Sequence, residues 1–310
     1  MSMRRYRVYG LVIESEIELS SVETMDECDG PPSIRMVLGP VELFRAVPLR
    51  PPGDDDWIQQ GVLADGSIHV KVEGVFETIV SPDGRQAACA RLGTTDDRSF
   101  EANLLNFVVA TALTLQGEEP LHATVVDFGD VAVGLLGGSG AGKSTLAACL
   151  IAQGARLVTD DMLRLGLVEG KALAYPGPHR LKLFDEPARR FLPDAEAHGW
   201  LNALSGKRMI EPTPMHGLRQ CRRLGALFWL GGDGDAGKSM AVRRLMGAEL
   251  ARCLIASAMN FRYHAPERLA RQLRFCERIA RILPVYALDY PRTFEMMDRV
   301  SEEIRRVVRA

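Results

Sequence analysis

An apolar run, Val131 to Leu136, leads straight into Gly137-Gly138-Ser139-Gly140-Ala141-Gly142-Lys143-Ser144, and a helix-forming stretch, Ser144 to Gln153, follows at once. These residues satisfy G-x-x-x-x-G-K-[ST], a pattern whose mechanism needs a strand before it and a helix after it. The glycines let the backbone turn its N–H groups inward around phosphate oxygens without Cβ clashes. The start of the helix adds the positive end of its dipole to the same anion. Lys143 then supplies a mobile charge for the β and γ phosphates, and the Ser144 hydroxyl is placed for Mg²⁺. The expected nucleotide contacts run from Gly137 through Thr145. The alternative is a Gly-rich turn with a coincidental Lys-Ser. The buried-looking strand and the helix face of Leu146, Cys149, Leu150 and Ile151 argue against it. Beyond Gly154 comes a strand, Arg156 to Thr159, closed by Asp160-Asp161. Strand, loop, helix and strand in that order form the core of a parallel α/β domain.

A second stretch, Gly232-Asp233-Gly234-Asp235-Ala236-Gly237-Lys238-Ser239, fits the same pattern after an apolar run, Ala226 to Leu230. Here Asp233 and Asp235 would set carboxylates inside a phosphate cradle and repel the ligand. Met240 to Leu245 alternates as a strand rather than continuing as a helix. The stretch therefore reads as a β-hairpin turn with Asp/Gly chemistry.

Upstream, the chain reads as strands separated by turns: Tyr6 to Ile13, Ile34 to Leu38, and Ser67 to Val72 with period two. A hairpin follows, from Phe76 to Val80 and Gln86 to Ala90 around Ser81-Pro82-Asp83-Gly84. Pro48 to Asp56 is Pro-rich, acidic and loop-like. From Phe100 to Leu115 the pattern becomes helical, with Leu104, Leu105, Val108, Ala112 and Leu115 on one face and Gly117 as a stop. The expected organisation is a β-rich N-terminal domain over 1–116 that ends in a helix, and a nucleotide-binding α/β domain over 117–310.

Asp160-Asp161 ends a strand expected to run parallel to the one feeding the loop, and the carboxyl ends of such strands line the ligand crevice of α/β sheets. One carboxylate would reach Mg²⁺ and the other would take the proton of an incoming hydroxyl. A helix N-cap with a surface turn is the alternative. His122 precedes the loop, on or near the strand that pairs with its feeder. On its own it is better explained by a core or turn position.

The net charge of −2 gives no electrostatic case for nucleic acid or an acidic membrane. Arg305, Arg306 and Arg309 sit among Glu302 and Glu303, as on a solvated helix face. Six scattered cysteines without a CxxC pair suit reduced thiols in a cytoplasmic compartment. Apolar runs such as Phe107 to Leu115 fall short of the roughly 20 residues of a membrane span.

Leu121-His122-Ala123, the loop, and Gly154-Ala155-Arg156-Leu157-Val158-Thr159-Asp160-Asp161 resemble the HPr kinase/phosphorylase family. There a Leu-His pair, a Walker loop and a Gly-x-Arg-Leu-x-x-Asp-Asp strand stand in this order at similar spacing. The wider chain looks closer to a divergent branch that includes kinases encoded with lasso-peptide biosynthesis genes. Its traits here are Tyr9 to Ile17, Tyr175-Pro176 with Arg180 to Leu183, and Leu283 to Leu288 with Pro291-Arg292. The resemblance implies an α/β fold with a P-loop domain of the HPr kinase C-terminal type. It also implies ATP and Mg²⁺ as cofactors. By the same resemblance His122 is a helper near the attacking group, Lys143 a phosphate ligand, Ser144 and Asp160 metal ligands, and Asp161 the proton acceptor.

The family's Arg-Gly-x-Gly signature is missing, and Tyr175 to Leu183 occupies its region. That speaks against phosphorolysis and against HPr as substrate. Arg180, Lys182, Lys207 and Arg208 are read as contacts to a phosphate or a peptide carboxylate, or else as an exposed basic face. The leading expectation is a serine kinase acting on a peptide or small protein, and the family makes a homo-oligomer plausible. The alternatives are a kinase of free serine or another small molecule, and a nucleotide-sensing regulator or scaffold. A phosphoenolpyruvate carboxykinase reaction lacks a clear second set of metal ligands.

Overall fold

The computed structural model describes residues 3–25, 30–45, 47, 57–200, 206–212, 220–231, 239–260 and 263–309. Two compact units emerge. One is Met1–Pro120 with Gly199–Lys207 and Met259–Arg268; the other is Leu121–His198, Arg208–Ala258 and Leu269–Ala310. A single cut at 116/117 therefore misplaces two later segments, which return to the first unit. Local chemistry explains the second return. Arg268 is buried with Glu119, its Nη2 3.1 Å from the Glu119 carboxylate, and its guanidinium also donates to the carbonyls of Met259, Asn260 and Tyr263. Asn260, at φ 56, accepts from Gln60 and Thr111 and donates to Thr114. No sequence pattern marks such a segment in advance.

The first unit holds β1 (Arg4–Val8), β2 (Leu11–Ser15), β3 (Glu23–Met25), β4 (Ile34–Leu38), α1 (Val41–Arg45), β5 (Ile58–Val62), β6 (Ile68–Val72), β7 (Phe76–Val80) and β8 (Gln86–Arg91). Its sheet runs β3-β1-β2-β4-β8-β7-β6-β5. The stretch expected as one strand, Tyr6 to Ile13, is instead a hairpin that pairs Val8 with Leu11. Tyr9 and Gly10 both take positive φ, 54° and 68°, as a two-residue turn of the primed kind requires. The expected hairpin of β7 and β8 pairs antiparallel. Pro48 to Asp56 lies outside the described residues. The expected long helix is α2 (Asp97–Asn103), one π-helical turn (Leu104–Val108) and α3 (Val109–Leu115). Asp96 caps it by accepting from the Ser99 N–H.

The second unit contains β9 (Ala123–Asp127), β10 (Ala132–Leu136), α4 (Lys143–Ala152), β11 (Arg156–Thr159), β12 (Leu165–Val168), β13 (Lys171–Ala174), β14 (Leu181–Leu183) and α5 (Asp185–Phe191). It continues with β15 (Glu196–Trp200), β16 (Arg208–Glu211), β17 (Arg222–Trp229), β18 (Ala241–Arg244), α6 (Gly247–Ala256), α7 (Pro266–Ile282), β19 (Val285–Asp289) and α8 (Met297–Arg309). The first residues of α7 and the last of β15 belong to the first unit.

The main sheet is mixed rather than parallel. Its order is β11-β9-β10-β17-β13-β12, with β19 also on β17 and β18 on β19. β10, β17 and β19 are parallel neighbours. β11 shares their direction but is separated from β10 by β9, which is antiparallel to both. β18 pairs with β19 and not with β17, so the second motif does not close a hairpin between its flanking strands.

Alternate residues explain how both faces of this sheet are buried. Val126, Val133 and Leu135 face a core with residues of α4, α5 and α8. Ala123, Val125, Ala132 and Leu136 face another core with residues of α6 and α7. Leu146 to Ile151 are all buried, so α4 is enclosed and not amphipathic as its sequence suggested. A smaller sheet, β14-β16-β15, completes the unit. Among the described residues no helix is long and apolar enough to cross a membrane.

Candidate active site

The loop after β10 is built for close backbone approach. Gly137 has φ 146°, and a Cβ there would meet the Ala141 Cβ at 2.9 Å and the Leu230 carbonyl at 3.1 Å. The Leu230 N–H donates to Leu136 at 2.8 Å, which pins the end of β17 against the mouth of the loop. Gly142, at φ 90°, opens α4 in a conformation that would strain other residues. Gly138, Ser139 and Gly140 are exposed; Ser144 and Thr145 are half-buried. Lys143 is buried, and its Nζ donates to the carbonyls of Gly137 and Gly138 at 2.9 and 3.0 Å. The ammonium is thus folded over its own loop, while the first N–H groups of α4 have no partner within the helix.

β11 delivers the two aspartates, and no helix follows them, which excludes the N-cap alternative. The β11–β9 register shifts between Leu157 and Thr159, an irregularity of the kind that re-aims side chains near active sites. Asp160 is buried. Its Oδ1 accepts from Thr124 Oγ1 at 2.6 Å and from Ser144 Oγ at 3.3 Å, and its Oδ2 accepts from the Lys182 N–H at 2.8 Å. Burial raises its pKa above the usual carboxylate range, as does the charge of Asp161. The Thr124 and Lys182 donors and the Lys182 charge oppose that rise.

Asp161 has φ 66°, a left-handed conformation that Asp tolerates better than most residues. Its Oδ2 is paired with the Lys182 ammonium, and its Oδ1 lies 3.9 Å from His122 Nε2. The His122 N–H donates to the Ser257 carbonyl at 2.6 Å, holding the residue at the entry to β9. Burial lowers the Lys182 pKa, the nearby Arg180 charge adds to that, and both aspartates pull the other way.

Of the expected site residues, the structure groups Ser144 with Asp160, and His122 with Asp161. It reassigns Lys182, which is buried on β14 against Asp161 instead of presenting a free cation to an acceptor. Arg180 is likewise buried. Arg208 lies with its Nε 2.9 Å from Asp185 at the start of α5. Lys207 belongs to the first unit. The four do not form the exposed basic face offered as their alternative. The residue missed in the sequence is Thr124; its signal was a hydroxyl inside Ala123-Thr124-Val125-Val126.

The donor set suits a small hard cation. A hydroxyl and a carboxylate oxygen, Ser144 Oγ and Asp160 Oδ1, converge at 3.3 Å, both of them the oxygen type that Mg²⁺ takes.

No protein-family model and no curated protein matches the chain. Among solved structures, the Hpr(Ser) kinase/phosphatase from Coxiella burnetii is similar over 61% of this chain and 95% of that one, at 12% identity and a TM-score of 0.34. A likeness that loose decides nothing about the residues of the site. The chain is a mixed α/β protein with several sheets.

Proposed function

We propose that the protein is an ATP-dependent kinase that transfers the γ-phosphoryl group to a serine hydroxyl of a peptide or small-protein acceptor. One observation carries the reading. A glycine loop with Lys143 and Ser144 at a helix start stands against a strand end whose two aspartates are held in different ways, Asp160 toward Ser144 and Asp161 toward His122 and Lys182.

The chemistry follows from those positions. The backbone of Gly137 to Thr145 and the start of α4 bind the polyphosphate, with Lys143 leaving the loop carbonyls for phosphate oxygens. Mg²⁺, held by Ser144 and Asp160, supplies charge neutralisation at the phosphates when bound. The acceptor oxygen forms a bond to the γ phosphorus as the bond to the ADP oxygen breaks, and the hydroxyl proton passes to the Asp161 carboxylate. The Lys182 ammonium holds that carboxylate in place through one oxygen, and His122 stands on the other. Because phosphoryl transfer is loose, positioning and charge count for more than the strength of the base.

A peptide acceptor fits the sequence likeness to kinases of peptide-tailoring gene sets and the loss of the Arg-Gly-x-Gly signature. The test is label transfer from γ-labelled ATP, offered a serine-containing peptide and free serine in parallel. Label on the peptide's serine is the expected result. Label only on free serine would replace the acceptor, and nucleotide binding without transfer to either would make the chain a regulator.

A further inference from the structure

We infer that Thr124 is a positioning residue for the divalent cation: its hydroxyl, with the main-chain N–H of Lys182, fixes the Asp160 carboxylate toward Ser144. The inference rests on the nucleotide site proposed above and assigns a new residue to it.

Thr124 sits on β9, the strand inserted between β11 and β10, and it is fully buried. It pairs with Leu135 of β10, and its neighbours Ala123, Val125 and Val126 are also fully buried. A valine would fill the same space with no polar atom to satisfy, whereas a buried hydroxyl costs stability unless it is bonded. The Thr124 hydroxyl spends its proton on Asp160 Oδ1, at 2.6 Å. The Lys182 amide donates to the other oxygen, at 2.8 Å. Two donors on two oxygens stop the carboxylate from rotating about its Cβ–Cγ bond. Oδ1 then keeps a fixed direction toward the Ser144 hydroxyl. A small cation that demands near-octahedral geometry gains from ligands held in this way. Removing such an outer partner typically weakens metal binding by about 10- to 100-fold.

The experiment reads Mn²⁺ directly, by the loss of its free paramagnetic resonance signal when titrated into the protein saturated with ADP. Wild type is expected to take up one Mn²⁺ per chain. Thr124→Val should raise the Mn²⁺ Kd by about tenfold, with ADP affinity in EDTA unchanged. Thr124→Ala should repeat the loss, and Thr124→Ser should regain wild-type binding. Wild-type Mn²⁺ affinity in the Val and Ala variants would overturn the inference and leave the nucleotide site standing, as would a Ser variant as weak as Val. A wild type that binds ADP but takes up no Mn²⁺ would overturn the inference alone. One that binds neither removes the nucleotide site with it.

Discussion

The pattern G-x-x-x-x-G-K-[ST] occurs twice in this chain, and the two occurrences lead into different elements. After Gly137–Ser144 the backbone becomes α4, a helix of ten residues, and the next strand ends in two aspartates. Residues 232–238 of the second occurrence lie outside the described residues, but its flanks are described: β17 precedes it, and β18 follows as an extended strand on β19. The pattern names residue types; an anion site also requires the unbonded N–H groups and the dipole of a helix start. Among the described residues, the first occurrence runs into such a helix start and the second into a strand.

Five substitutions break or sharpen that contrast. The largest effect is expected from Lys143→Ala, which should cut ATP turnover by roughly a thousandfold, while Lys238→Ala leaves it near wild type; a steady-state ATPase or transfer assay decides. Equal losses would erase the distinction. Next comes Asp161→Asn, a residue for which the second motif has no counterpart. It should keep nucleotide affinity and lower transfer by about a hundredfold or more, read as kcat against nucleotide Kd.

Lys182→Met removes the buried partner of Asp161. Losing one member of a buried pair costs about 3–5 kcal/mol, and the cost here should fall nearer 2 because Asp161 keeps some solvent access. The midpoint of urea unfolding reports it. The smallest change is Tyr290→Phe. The Tyr290 hydroxyl is buried without a hydrogen-bond partner among the described residues, 3.8 Å from where a Cβ on Gly142 would stand, and burial pushes its pKa up to about 12. Deleting it should leave turnover intact and raise stability by up to about 1 kcal/mol, seen as a higher Tm.

Local signals were legible where one element carried them. β4, β7 and β11 were read to the residue and β6, β8 and β10 nearly so, because apolar runs and turn residues bracket them, whereas β5 went unread. Lys143, Ser144, Asp160 and Asp161 were legible through spacing. What escaped depends on residues far apart in the chain. That β9 inserts between β10 and β11 is a matter of pairing, and only this insertion puts the Thr124 hydroxyl on Asp160. Lys182 looked like any cation near an acceptor, since its burial against Asp161 comes from the packing of β14. The Tyr9-Gly10 turn was missed because tyrosine seldom takes a positive φ, so an unbroken strand was the natural reading. The apolar content of α4 suggested one wet face, whereas α5 and α8 cover it.

The two returns of the chain to the first unit bear on genetic separability. A cut after Pro120 would sever the junction at which the units are nominally joined, yet would leave Gly199–Lys207 and Met259–Arg268 stranded on the shortened polypeptide. Arg268 would then carry a guanidinium shaped for a burial that no longer exists, its carboxylate partner Glu119 having gone with the missing piece. Neither half is a portable cassette; gene fusion or domain shuffling must move them as one.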